Sequence, residues 1–272
     1  MEQTLSGLFH DIATPVFKHC IDFMNGDHEK QESTEELTTK IISESKEIMS
    51  LLERDGIKIE EVDDYHMYPI ADNDTPKLSA DRLEYTFMNG VFFDSKDIWD
   101  LNKVRKFYNN LKVLKNEEGI DELGFKDKEI AEEFINYDKE IWPFWISNED
   151  KLAMQFLADT VKKMSEKKFL TKEDLYTLSE KEVIDKIENC PDEKIRNGFR
   201  LFQKSTKIGE SDDFIDDKYC VSIKAKRRYI IPLVEIDNTY ERINNVSEVA
   251  KQGIDNYLNS ETKKYAYLDF EF

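Results

Sequence analysis

The chain has 272 residues with 39 basic and 58 acidic side chains, a net charge of −19. A content of 39% hydrophobic and 12% aromatic residues can bury a real core, which excludes disorder over most of the length. The acidity excludes duplex nucleic acid as an expected partner, and nine glycines and six prolines are too few for an all-β sandwich. The expected fold class is mainly α, a helical bundle with a small β element near the C-terminus. Cys20, Cys190 and Cys220 form no CxxC pair, so neither a disulfide framework nor a structural zinc is expected. No apolar run approaches a membrane span, and Met1-Glu2-Gln3-Thr4 has no basic lead into a hydrophobic stretch. A cytoplasmic protein with no membrane partner is the expectation.

Apolar spacing predicts the elements in order. Leu37, Ile41, Ile48 and Leu52, with Ile42 and Met49 beside them, share a helical face that Gly56 closes. Ser95 caps the next predicted helix, carried by Ile98, Leu101, Val104, Tyr108 and Leu111. Lys115 to Asp121 reads as a boundary between a core domain, 1–115, and a C-terminal region, 116–272. Ile130, Phe134 and Ile141 make a third helix ending near Pro143, and Ser147 or Asn148 opens a fourth through Leu152, Phe156, Leu157, Val161 and Met164. Shorter helices are predicted over Lys172 to Leu178, Glu180 to Glu188 and Asp192 to Lys204. Gly209 to Asp217 reads as an acidic loop, and alternation from Tyr219 to Ile223, then Tyr229 to Leu233, predicts a strand or hairpin within 218–234.

The chemistry-bearing residues are sparse. Of four histidines, His10 stands next to Asp11, and an imidazole beside a carboxylate supplies one nitrogen and one oxygen ligand for a divalent ion. Taken alone, that pair is an ordinary surface helix end. The second group is Ser79-Ala80-Asp81-Arg82-Leu83-Glu84-Tyr85, where Asp81 and Tyr85 are i,i+4 neighbours on a predicted helix and Glu84 points elsewhere. An aspartate at 81 facing His10 and Asp11 would complete three ligands, with Arg82 balancing phosphate charge and Tyr85 lining the pocket. Asp72-Asn73-Asp74 fails as a calcium loop because Pro76 and Lys77 occupy positions that need a ligand and a glycine. His66, among aromatic residues, reads as a packed or capping histidine. No phosphate-binding glycine loop or GxSxG occurs.

These segments resemble the HD-domain phosphohydrolases, in the branch of deoxynucleoside triphosphate triphosphohydrolases. The resemblance covers roughly residues 4 to 90 and rests on Gly-Leu-Phe-His-Asp-Ile, the tail Pro15 to His19, and Asp81-Arg82-x-x-Tyr85. It implies an HD-like helical core and a divalent metal (Fe, Mn, Zn, Ni or Mg) on His10, Asp11 and Asp81. It also implies a nucleotide or other phosphoester substrate, with His19 and Arg82 as catalytic groups. Arg82, Tyr85, Asn89, Lys226 and Arg227 would contact that substrate, the last two within Lys224-Ala225-Lys226-Arg227-Arg228-Tyr229.

The departures from the pattern shape a further expectation. Only nine residues precede His10 and none is histidine, so the first histidine of the signature is missing and the core reads as N-terminally incomplete. Thr14 stands where many relatives carry another histidine, and Thr34 or Gln31 where one more is expected, with His28 close enough to compensate. Metal binding and hydrolysis should therefore be weak. Leu5, Leu8, Phe9, Ile12, Val16, Phe17, Ile21 and Phe23 should leave an uncovered apolar patch that favours self-association as a homo-oligomer. The rival reading is a non-catalytic HD-like protein that binds nucleotide or serves as a regulatory or oligomeric subunit.

Overall fold

The computed structural model describes residues 1–29, 33–34, 37–93 and 100–272. Gln31, Ser95, Ile98 and Trp99 lie outside the described residues. The helices are α1 (Glu2–Phe9), α2 (His19–Met24), α3 (Thr38–Glu44), α4 (Lys46–Asp55), α5 (Ala80–Phe93), α6 (Leu101–Asn110) and α7 (Lys128–Asp138). They continue as α8 (Trp142–Trp145), α9 (Asn148–Glu166), α10 (Asp174–Thr177), α11 (Glu180–Glu188), α12 (Glu193–Lys204), α13 (Ile243–Val246) and α14 (Glu248–Leu258). The strands are β1 (Leu111–Lys115), β2 (Asp121–Phe125), β3 (Gly209–Ser211), β4 (Tyr219–Val221), β5 (Leu233–Ile236), β6 (Thr239–Arg242) and β7 (Tyr265–Leu268).

Side-chain caps set several helix boundaries. The Ser45 hydroxyl accepts from the Ile48 amide and cuts the single helix expected over 37–56 into α3 and α4. Gly56, at φ 70°, ends α4 in the left-handed region. Asp100 caps α6 by accepting from the amides of Asn102 and Lys103. Ser147 caps α9, Asp192 caps α12, and Ser179 with Glu182 forms a capping box on α11.

The mainly-α expectation is overturned. About 52% of the described structure is helical and 11% is strand, arranged in two sheets, so the architecture is α/β and not the mainly-α helical bundle expected. One sheet has the order β1-β2-β5-β6 and the other β3-β7-β4. Strand therefore appears well before residue 217. β1 and β2 form an antiparallel hairpin in register Leu111 with Phe125 and Lys115 with Asp121. Its turn is the Lys115 to Asp121 stretch expected as a boundary: Gly119 takes φ 76°, and the Asn116 side-chain carbonyl accepts from the amides of Glu118 and Ile120. Leu111, counted as the last residue of a helical stripe, instead opens β1. Tyr108 and Leu101 of that stripe are exposed, and Phe107 is the α6 side chain that is fully buried. Gly209–Ser211, expected as loop, is strand β3.

The chain divides into two compact units, each assembled from three segments. The first comprises Met1–His10, Ile42–Trp145 and Arg227–Ser260; the second comprises Asp11–Ile41, Ile146–Lys226 and Glu261–Phe272. The boundary expected at residues 115 and 116 falls at the end of β1, inside the first unit. There α7 packs on β2 and β5 through a cluster in which Phe134 meets Phe125 at 5.1 Å and Phe107 at 5.5 Å between ring centroids. β2 and β5 run parallel, and a Cβ on Gly124 would stand 2.7 Å from the Leu233 carbonyl oxygen, so glycine permits this pairing. In the second unit α9, α11 and α12 bury Leu152, Phe156, Val161, Met164, Val183, Ile187, Ile195 and Phe199 with Tyr219, Ala266 and Leu268 of the sheet.

One ion pair ties the first unit's sheet together. Glu122 on β2 has no exposed surface; it accepts from Arg242 of β6 at 2.6 and 2.9 Å, from the Leu78 amide at 3.3 Å and from Asn116 at 3.3 Å. The same guanidinium donates to both oxygens of Glu117 at 2.8 Å and to the Ile231 carbonyl. Truncating Arg242 to alanine leaves Glu122 buried without its counter-charge. Urea unfolding should show a loss of about 3–5 kcal/mol; a loss under about 1 kcal/mol would remove the pair from this role.

Hydrogen bonding to Arg242 also holds the Glu117 carboxyl down at about 2 against an ordinary 4.5. A lowered acid contributes stability that is whole above the ordinary value and disappears as pH falls through the folded value. Acid unfolding should accordingly steepen between those two pH values and flatten in Glu117→Gln. Identical acid limbs in the two proteins would contradict the assignment.

Candidate functional site

α1 lies against two single-turn 3-10 helices, Ile59–Glu61 and Tyr65–Met67. Its inward residue is Ser6, fully buried, while Leu8 is 71% exposed. Of the eight N-terminal apolar residues, Ile21 and Phe23 are buried and the others apart from Leu8 are partly buried. At the end of α1 a cleft of about 390 Å³ opens in the first unit, lined by Gln3, Thr4, Gly7, His10, Tyr65, Ala71, Ala80, Asp81 and Glu84.

His10 Nε2 stands 3.3 Å from Asp81 Oδ1, so the structure brings together two of the three expected ligands, which lie far apart in sequence. His10 Nδ1 is 2.6 Å from the Gly7 carbonyl oxygen, and the Tyr65 ring meets the imidazole edge-on at 5.5 Å. A carbonyl only accepts, so Nδ1 carries a proton and donates to it. A neutral imidazole has one N–H, which leaves the Nε2 lone pair facing the carboxylate of Asp81. Two acceptors at that distance repel unless a proton or a metal ion is shared between them.

Asp11 is placed differently. Its carboxylate takes the Lys18 ammonium at 2.7 Å and the Thr14 hydroxyl at 3.2 Å, all within the second unit. Among the described residues no three His, Cys, Asp or Glu side chains gather into a metal-holding group. One imidazole nitrogen and one carboxylate oxygen are too few donors for a tightly held resident ion; a divalent ion such as Mn²⁺ there would keep most of its shell as water or substrate oxygen.

Arg82 does not face the cleft. Its buried guanidinium donates to Asn73 Oδ1 at 2.6 Å, the Lys77 carbonyl at 2.9 Å and the Asn73 carbonyl, with Asp72 Oδ1 at 3.6 Å. Ser79 completes the brace by donating to Asp72 at 2.9 Å. The Asp72-Asn73 segment that fails as a calcium loop is thus the acceptor set for Arg82. Tyr85 and Asn89 are not cleft-lining residues either. Tyr85 is partly buried, and burial pushes its hydroxyl up to about 12. Arg227 donates to the carbonyls of Tyr257 at 2.7 Å and Ser260 at 2.6 Å, closing the end of α14, while Lys226 belongs to the second unit.

His19 also sits in the second unit. Its Nδ1 lies 3.1 Å from Asp22 Oδ2, and the fully buried Asp22 accepts from the Ser33 hydroxyl at 2.7 Å through its other oxygen. The two residues before it, Phe17 and Lys18, take φ 65° and 34°, strained for residues with side chains. His28 packs beside Phe23, and Asp64 caps the Tyr65–Met67 turn by accepting from the His66 amide at 3.0 Å while the His66 ring stacks on Tyr65. The residues that sequence reasoning missed are Tyr65 and Glu84. The i,i+3 spacing of Asp81 and Glu84 on α5 was the available signal for the second.

No family model matches this chain. It is 24% identical over 271 residues to an uncharacterized protein, YdhJ, of Bacillus subtilis strain 168, covering 98% of this chain and 78% of that one. A crystal structure of a hypothetical protein from Aquifex aeolicus aligns with a TM-score of 0.65 and 18% identity over 98% of this chain and 76% of its own. That likeness establishes a shared α/β fold. No helix among the described residues is long and apolar enough to cross a membrane.

The hydrogen bonding of Arg82 generates a clear expectation. Arg82→Ala should lower stability by about 2–4 kcal/mol through lost charge-assisted bonds and loosen the 72–79 loop to protease. Thermal unfolding and limited proteolysis read both effects. Unchanged stability combined with lost phosphate binding would restore the substrate-contacting role expected from sequence.

Proposed function

We propose that the His10–Asp81 cleft is the working part of a metal-dependent phosphohydrolase of HD type that acts on nucleotides, dNTPs being the substrates the resemblance implies. One observation carries this reading: both ring nitrogens of His10 face acceptors, at 2.6 and 3.3 Å, an arrangement that favours a shared cation. A divalent ion there would be held by His10 Nε2 and Asp81 Oδ1. A bound divalent ion supplies Lewis-acid polarisation of a phosphoryl oxygen and a more acidic water.

The protein's own groups do the rest. The Gly7 carbonyl fixes the tautomer and aim of His10. Asp81 faces Nε2 of the ring and would share the ion with it. Tyr65 walls the cleft beside the ring, and Glu84 adds negative charge on the same helix. The lining contains no lysine or arginine, so phosphate oxygens need the cation for charge balance. With Asp11 turned to Lys18, metal affinity and turnover are low. We place this activity in the cytoplasm, where the unpaired Cys20, Cys190 and Cys220 suit a reducing environment.

Mn²⁺ titration by calorimetry and dNTP loss by anion-exchange chromatography test the reading together. Mn²⁺ should bind at the cleft, with affinity falling about 10- to 100-fold in Asp81→Asn and in His10→Gln. Hydrolysis should be slow and fall about 100-fold further in His10→Gln and Asp81→Asn. Hydrolysis unaffected by either change would overturn the site. Binding of dNTP without turnover would instead leave a non-catalytic nucleotide-binding protein.

A further inference from the structure

We propose that Glu84 is a specificity residue of the cleft: with Asp81 it seats a primary ammonium group, so the preferred ligand is a small amine-bearing molecule and not a polyanion. The inference rests on the proposed reading for the place of the site and not for its chemistry.

The lining is one-sided in charge. Asp81 stands in the first turn of α5, its side chain 34% exposed, and Glu84 follows on the same helix with its Cβ about 5–6 Å away. Glu84 takes no hydrogen bond or ion pair among the described residues. No lysine or arginine belongs to the described lining, and Arg82, beside Asp81 in sequence, is turned to Asn73 and the Lys77 carbonyl. Two carboxylates with no cationic side chain between them repel a triphosphate and attract a cation.

The rest of the lining suits the organic part of such a molecule. Tyr65 is the aromatic group in the wall, a surface that ammonium ions prefer. Gly7 leaves the opposite wall open, since a Cβ there would meet nothing within 4 Å, and Ala71 and Ala80 are small. Gln3 and Thr4 offer hydrogen bonds to a polar tail. A concave cleft of about 390 Å³ has the size of a small-molecule site. A primary ammonium is compact and carries three donors, enough to meet both acids and keep one for water. A divalent ion on His10 and Asp81 would share Asp81 with it, so the two compete.

Calorimetry without metal, using butylamine as probe and tetramethylammonium as a cation without N–H donors, tests the seat. Butylamine should bind about tenfold more tightly than tetramethylammonium. It should bind about fivefold more weakly to Glu84→Gln and about tenfold more weakly to Asp81→Asn, each variant first shown by thermal unfolding to be folded. Equal binding of the two cations, or butylamine affinity indifferent to Glu84→Gln and to Glu84→Ala, would overturn the proposal. A lysine side chain carries the same ammonium, so Nα-acetyl-lysine methylamide is titrated beside butylamine; tighter binding of that compound would overturn the small-molecule assignment. Mn²⁺ binding and dNTP loss are read in separate samples without amine. Amine binding without either of them would remove the phosphohydrolase reading and leave the ammonium seat, and both of them without amine binding would do the reverse.

Discussion

A carboxylate without exposed surface must be met by charge and hydrogen bonds or it unfolds what surrounds it. Glu122 sits in the middle of the first unit's sheet, and Arg242 reaches it from the far edge strand. The same pair of side chains fixes the hairpin turn through Glu117 and the start of α5 through the Leu78 amide. Ala80 and Asp81 follow directly, so the cleft inherits its floor from a contact that touches no cleft residue. Replacing a buried ion pair with apolar groups is often neutral for stability elsewhere, but here the pair also places the Leu78 turn, which apolar side chains could not do by hydrogen bonding.

The cleft itself shows how far two donors can go. Gly7 and Asp81 hold His10 from opposite sides, so the ring has one orientation and an electrostatic need for positive charge. Arg82, adjacent to Asp81 in sequence, faces the other way and serves its own loop. Neighbouring residues on one helix thus divide between a functional face and a structural one. The 100° step between successive residues makes such a division the ordinary outcome.

Much of the helical framework was legible because its signals are local. The Ser147, Ser179 and Asp192 caps and the apolar spacing within α9, α11 and α12 each act over a few residues. What stayed hidden depends on distant partners. β1 carries two lysines in five residues, Lys112 and Lys115, and little burial of its own, and it becomes a strand only through β2. The parallel pairing of β2 with β5 across more than a hundred residues leaves no periodic trace beyond Gly124. At the site, the His10–Asp81 encounter was readable from motif resemblance, whereas the direction of Asp11 was not: Lys18 competes for it through a strained turn that composition does not announce.

The interleaving of the two units bears on how the chain can be made. The first unit needs Arg227–Ser260, and the second needs Glu261–Phe272, so neither is complete until those late segments have been made. In the three-stranded sheet the central strand is β7, which follows both its neighbours in the chain, and β3 and β4 have nothing to pair with before it. The usual route, an N-terminal domain folding while the rest is still being translated, is closed to this topology. For some time the nascent chain therefore carries unmatched strand edges and the apolar faces of α9 and α12. Its dense acidic charge then has a use unrelated to the folded surface, as mutual repulsion that keeps half-made copies apart.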